Sequence, residues 1–260
     1  MSLVYVFAAS KMEGEPVKQI AGTNIESGLA PRFGSLRSGA NELVLVIGGM
    51  GPKNARAKAA QAFGLASPQS ALSISSGRRP DAVLIIGLCG GLTSSLPENR
   101  IVAYTDCLLT EPDKPPQKCS TTITNSVVEF LLSRGISCER VVGITSPRIA
   151  VTRDDKLALA RSGANAVDME SYEILVVAGQ AGIPVAVLRV VADTPDTKMP
   201  DFNRALNQDG ALDGRKALRI ALTSPIQTAR LLSANKRAMS HLTKALEILL
   251  PADCFSKAQV

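Results

Sequence analysis

Five short apolar runs punctuate the chain, at residues 3–8, 43–47, 82–86, 100–103 and 185–191. They are rich in Val and Ile and lack polar alternation, so they read as strands covered on both faces. Helical patterns lie between them. Pro52 suits the first position of a helix running through Ala55, Ala59, Ala62 and Phe63. A second helix spans 170–181 and is stopped by Gly182 and Pro184. Strands alternating with helices predict an α/β layered fold with a mainly parallel sheet. The stretch 111–118 carries three prolines among mixed charges and reads as a surface loop.

From Phe202 onward the pattern becomes basic and helical. Residues 204–244 hold eight Lys or Arg against Asp209 and Asp213, while Met239, Leu242, Leu246 and Leu249 recur at spacings of three and four. One apolar helix face follows from that spacing. Two readings stay open for this tail: a solvated helix packed on the core, or a basic amphipathic surface that meets a membrane or a lipid-like substrate.

Composition narrows the function. The 260 residues are 45% hydrophobic and 20% charged, enough for a sizeable core in one domain spanning 1–260. Aromatics are only 3% with no Trp, which argues against stacking platforms for single-stranded nucleic acid. The net charge of +6 suits an anionic substrate, nucleic acid or an acidic membrane, and does not choose among them. Cys89, Cys107, Cys119, Cys138 and Cys254 are odd in number and form no C-x-x-C. Reduced thiols and a cytoplasmic setting are expected, with no structural zinc. The apolar run at the N-terminus has no basic residues before it and reads as a buried strand, not as a signal peptide. His241, the sole histidine, lies in the basic tail and reads as a surface residue. A His-based metal site or a Ser-His-Asp triad is therefore not expected. The chemistry is left to carboxylates.

Two strands run into glycine clusters, Gly48-Gly49-Met50-Gly51-Pro52 and Gly87-Leu88-Cys89-Gly90-Gly91. Glycine admits close backbone approach, and ligands in α/β sheets gather at the carboxyl ends of strands. Each turn alone fits tight packing as well as ligand contact; together they place a pocket on one edge of the sheet. The dinucleotide fingerprint fails, because Asn54 stands where its third glycine belongs, and no Walker lysine pattern occurs. Two acidic groups complete the picture. Val167-Asp168-Met169-Glu170-Ser171 stands at a helix start, and Asp193 follows an apolar run interrupted by Arg189. Desolvation at that strand end would raise the carboxyl pKa and suit Asp193 to act as a general acid. The plainer alternative is that Glu170 caps its helix and Asp193 opens a turn.

These motifs, in this order, resemble the nucleoside phosphorylase and nucleosidase superfamily. The Asp-Met-Glu-Ser string before a strand ending in Ala192-Asp193 is the specific part. Gly-Gly-Met-Gly-Pro, Gly-Leu-Cys-Gly-Gly-Leu, Met199-Pro200 and the basic tail make the chain most similar to the hopanoid-associated branch, whose members are assigned to removing adenine from adenosylhopane. The resemblance implies a three-layer αβα fold with a mixed, mainly parallel sheet, and cleavage of the N-glycosidic bond of a purine nucleoside. It casts Asp193 as the acid that protonates the leaving base near N7, Glu170 as the ribose carboxylate and Met169 as the side chain against the sugar. Ser171 assists, Gly48, Gly90 and Gly91 border the substrate, and Ala150 and Val151 lay the base against backbone. In Lys11-Met12-Glu13-Gly14-Glu15, Glu15 is taken over Glu13 as the residue that orients attacking water. A homo-oligomer is implied, with no cofactor and no nucleic-acid partner.

Departures from the family pattern refine this. Leu88 and Ile85 occupy positions where many phosphorylases place a phosphate-binding Ser and Arg, which favours water as nucleophile. Arg78, Arg79, Arg148 or Arg153 could supply charge instead, so phosphate remains open as a co-substrate. Ala150 replaces a Phe that stacks on the base, which makes small nucleosides the poorer substrates. The reading is a nucleosidase acting on a lipid-linked adenosine. The alternatives are a purine nucleoside phosphorylase, a methylthioadenosine/S-adenosylhomocysteine-type nucleosidase, or a non-catalytic nucleoside binder.

Overall fold

The computed structural model describes residues 1–21, 35–65, 78–111, 113–207 and 212–256. In chain order the elements are β1 (Ser2–Ala8), α1 (Lys11–Ala21), β2 (Ser35–Ser38), β3 (Asn41–Ile47), α2 (Pro52–Ala62), β4 (Ala82–Gly91), β5 (Ile101–Leu109), β6 (Gln117–Lys118), α3 (Thr121–Ser133), β7 (Cys138–Thr145), α4 (Arg153–Ala160), β8 (Ala166–Asp168), α5 (Ser171–Gln180), β9 (Val185–Asp193), a 3-10 turn at Phe202–Ala205, α6 (Gly214–Thr223) and α7 (Pro225–Leu249). The fold is α/β with a mixed sheet, as the sequence predicts. β1 lies parallel between β3 and β4, and β4 pairs parallel with β9. β9 then pairs antiparallel with β5, β5 runs parallel to β7 and β7 to β8, and β8 returns antiparallel to β4. Those five strands close a ring, a feature no local pattern encodes.

The continuous apolar runs are explained by burial on both faces. Along β1, Val4, Val6 and Ala8 point into one core, with Val17 of α1, Ile123 and Val127 of α3, and Leu242 and Leu246 of α7. Leu3, Tyr5 and Phe7 point into the other, with Ala55 and Ala59 of α2 and Ile174 and Leu175 of α5. Helices thus cover both sides of the sheet, because successive strand side chains alternate faces. The predicted apolar face of the tail is real: Met239, Leu242, Leu246 and Leu249 of α7 are buried. α6, by contrast, buries no side chain.

Several elements differ from expectation for local reasons. The strand predicted at 100–103 continues to Leu109, through a bulge between Tyr104 and Asp106 where the polar Thr105 and Asp106 hide the continuation. The predicted loop 111–118 ends in paired backbone: Gln117 and Lys118 form β6 against β5. Its Pro112 lies outside the described residues. α1 escapes a propensity reading because it contains Gly14 and Pro16.

Candidate active site

β1, β4 and β9 run parallel, so their carboxyl ends meet at one edge of the sheet. A cavity of about 450 Å3 opens there, within the range of small-molecule sites. Its polar side is formed by Glu13, Asp168, Glu170 and Asp193, and its apolar side by residues such as Leu88, Ile149, Met199, Phe202 and Leu231.

Asp168 organises the turn that delivers Glu170. Its Oδ1 accepts from Thr145 Oγ1 at 2.7 Å and from the backbone N–H groups of Glu170 and Ser171, each at 3.1 Å. Asp168 therefore satisfies free donors at the start of α5. Glu170 stands at the cap position but makes no side-chain capping bond. Its Oε1 instead accepts from Gly51 N–H at 3.0 Å, which ties the first glycine turn to the ribose-binding candidate. Burial pushes the Glu170 carboxyl up to about 7; the Arg189 charge opposes this and Asp168 reinforces it.

Arg189 is the cation beneath this floor. Fully buried on β9, it donates from one terminal nitrogen to Ser171 Oγ at 2.9 Å and lies 3.3 Å from Asp168 Oδ2 and 3.7 Å from Glu170 Oε2. Burial works against its charge, but Asp168 and Glu170 more than offset that and hold the guanidinium above its usual range. The other side of the cavity floor is set by α1. Ser10 and Glu13 form a reciprocal cap: Glu13 N–H donates to Ser10 Oγ at 3.3 Å, and Glu13 Oε2 accepts from Ser10 N–H at 3.0 Å. Glu13 Oε1 accepts from Leu88 N–H at 2.9 Å, joining α1 to the second glycine turn. Gly87 in that turn has φ +146°, and a Cβ there would lie 2.5 Å from both Glu13 Oε1 and Arg189. The turn needs glycine because two charged side chains pass directly over it.

Asp193 ends β9 and is buried, as its place after an apolar run predicts. The structure adds a partner that the sequence reading missed. Lys156, the one buried residue of α4, donates to Asp193 Oδ2 and, at 2.9 Å, to the Thr194 carbonyl.

Met169, Glu170, Gly90 and Asp193 all border the cavity. Ser171 lies beneath it on Arg189. Gly48 N–H bonds Ala8, and Gly91 packs between Leu96 and Val191; neither glycine borders the cavity. Val151 also lies outside the lining, whereas Ala150 is in it. Glu15, chosen over Glu13 from the sequence, does not border the cavity, whereas Glu13 does. Residues two apart on a helix point about 200° apart, and Glu15 faces solvent, 3.9 Å from Lys18. The S-x-x-E pattern of Ser10 to Glu13 was the signal that distinguishes them. Of the arginines considered for phosphate, Arg148 alone borders the cavity. Arg153 pairs with Asp196, Arg78 lies 3.6 Å from both Glu42 and Asp81, and Arg79 donates to the Ala181 carbonyl. Arg189 could have been flagged as a charge inside a buried strand, which must be paired. Lys156 follows the T-x-x-D cap of Thr152 and Asp155, which fixes where α4 begins.

Solved structures share this architecture. The 5′-methylthioadenosine/S-adenosylhomocysteine nucleosidase of Helicobacter pylori superposes with a TM-score of 0.68 at 14% identity, covering 94% of this chain and 97% of its own. Futalosine hydrolase of Helicobacter pylori gives 0.68 at 14% identity, with the same coverage of 94% and 97%. The S-adenosylhomocysteine nucleosidase of Streptococcus pyogenes gives 0.67 at 17%, covering 95% and 96%. No curated protein matches the chain. At these identities the likeness establishes the fold. The sequence pattern of the Phosphorylase superfamily matches residues 6–221, and with the sheet, the two glycine turns and the carboxylate floor in place, the chain belongs to that superfamily.

Proposed function

We propose that the protein hydrolyses the N-glycosidic bond of a purine nucleoside, releasing adenine from a lipid-linked, adenosylhopane-like substrate in hopanoid biosynthesis. The observation that carries this reading is the cavity itself, which joins the Glu13, Glu170 and Asp193 floor to an apolar wall drawn partly from the C-terminal helix. In this reading Asp193 passes a proton to the base, so that the C1′–N9 electron pair leaves with it. Glu170 and Met169 hold the sugar, and the Glu170 carboxylate steadies the oxocarbenium-like charge. Glu13 orients the water that attacks C1′. Leu88 and Ile85, standing where many phosphorylases bind phosphate, support water as nucleophile without a cofactor. A Helicobacter pylori nucleosidase mutant holds 5′-methylthioadenosine in its active site, which supports a 5′-substituted adenosine as the class of substrate.

The apolar wall supports a hydrophobic 5′ substituent. α6 carries Arg215, Lys216 and Arg219 and turns Leu218 and Leu222 to solvent, with Ile226 and Leu232 of α7 exposed nearby in sequence. That composition supports peripheral contact with an anionic membrane face from the cytoplasm. No helix among the described residues is long and apolar enough to cross a membrane. A homo-oligomer completes the proposal. Adenine release from 5′-alkylated adenosines of increasing chain length, with and without phosphate, tests it: release should rise with chain length and need no phosphate. The second reading is phosphorolysis, or cleavage of methylthioadenosine. It is favoured by Arg148 at the cavity, and release that requires phosphate or is fastest with the short substrate would establish it.

A further inference from the structure

The acid of the proposed reaction does not sit alone. Lys156 is fully buried, and its ammonium pairs with Asp193 Oδ2 while also holding the Thr194 carbonyl. A carboxylate so paired presents a lone pair, not a proton, to a purine N7. A buried lysine is costly unless it is paired and hydrogen-bonded, and here the fold supplies both partners. The capping box at Thr152 and Asp155 sets the start of α4 and turns Lys156 inward while the exposed Arg153 of the same turn pairs with Asp196.

Resting on the nucleosidase reading, we propose that Lys156 is the positioning residue and proton reservoir of Asp193: the proton that reaches the leaving base is stored on the Lys156–Asp193 pair. The step balances. A proton leaves Lys156 Nζ for the Asp193 carboxyl, and rotation about Cβ–Cγ brings it to the base side. It ends on N7 as the C1′–N9 bond breaks and its electron pair stays on the base. Lys156 is left neutral, Asp193 is again a carboxylate, and water returns a proton to Lys156 after product leaves.

The surroundings suit a lysine that can yield its proton near neutrality. Burial draws the Lys156 ammonium down to about 8, while the Glu98 carboxylate in the segment after β4 pulls the other way. Contact with the Asp193 carboxylate also favours the charged lysine, so the proton belongs to the pair and not to either group. The Cys89 thiol is itself pushed up to about 12 by burial and stays protonated. Glu98 is held by Thr197 Oγ1 at 3.0 Å and by Arg237 of α7 at 3.5 Å, and so is largely compensated.

The test is a set of pH–rate profiles on an adenosine substrate for the wild type, Lys156→Met and Lys156→Arg, alongside turnover of p-nitrophenyl riboside, whose leaving group needs no proton. Lys156→Met should lower kcat on adenosine by about 100-fold or more. KM should hold within a few-fold, the alkaline limb should vanish, and p-nitrophenyl riboside should still turn over. Lys156→Arg keeps the charge but holds its proton too tightly to give it, so it should not restore kcat. Restoration by arginine, an unchanged pH profile in Lys156→Met, or equal loss of both substrates in both variants would overturn the proposal. A wild type that releases no base would instead sink the nucleosidase reading on which it rests.

Discussion

Replacing Arg189 by Met probes the charged floor of the cavity. The substitution keeps most of the side-chain volume, so it removes charge and hydrogen bonds with little void. Three buried groups lose their partner: Ser171 Oγ at 2.9 Å, Asp168 Oδ2 at 3.3 Å and Glu170 Oε2 at 3.7 Å. Breaking a buried ion pair from one side costs about 3–5 kcal/mol, because the remaining charge is left uncompensated. In a protein of this size that lowers Tm by roughly 6–20 °C. The cost should also depend on pH. Burial already raises Glu170 to about 7 in the presence of Arg189, which opposes the rise; without Arg189 it must climb further. A carboxyl whose folded pKa lies above its unfolded value contributes stability that is present at low pH and lost as pH rises through the folded value. The variant therefore recovers part of its deficit at about pH 5, where Glu170 is protonated, and shows its full deficit at about pH 9. Urea unfolding at both ends of that range measures it. A deficit below about 1 kcal/mol at the alkaline end, within the span of an exposed pair, would show that Arg189 does not hold this floor together; so would a deficit independent of pH.

Three further outcomes are expected. Glu13→Gln should lower kcat for base release by about 100-fold, whereas Glu15→Gln, on the solvent face, leaves it unchanged; steady-state assay of the pair decides which glutamate serves the cavity. The acid limb of kcat/KM should fall as pH drops through about 7, the value to which burial raises Glu170, because the protonated carboxyl no longer stabilises a cationic sugar. A profile flat across that pH removes Glu170 from the role. A Cβ on Gly143 would lie 2.1–2.6 Å from the buried Tyr104 ring, so Gly143→Ala should cost about 1–3 kcal/mol in urea unfolding by overpacking.

What the sequence reveals depends on how local the cause is. β1, β3, β4 and β9 are legible because strands buried on both faces must be apolar throughout, and α2 and α7 because one face packs on the sheet. β7 is not, since Glu139 and Arg140 stay exposed within it and break the run. β8 is three residues long, and the ring that it helps to close depends on pairings distant in sequence. The site divides in the same way. Asp193 and Glu170 carry a recognisable motif, and both line the cavity. Glu13 and Glu15 have equal chemistry, and only the helical phase set by Ser10 separates them. Lys156 lies 37 residues before Asp193, on a helix whose pattern is polar, and its inward turn follows from the Thr152–Asp155 cap that sets where α4 begins. Gly48, Gly91 and Val151 do not themselves border the cavity, whereas Met50, Gly90 and Ala150 beside them do.

In the proposed function this carboxylate floor drives hydrolysis of a purine nucleoside. Its most direct test is product analysis in phosphate-free buffer, separating free adenine and free sugar from a 5′-alkyl adenosine, for the wild type beside Asp193→Asn. Equal amounts of adenine and free sugar are expected from the wild type, with loss of both in the variant. Binding of the nucleoside without release by the wild type, or undiminished release by Asp193→Asn, would contradict it.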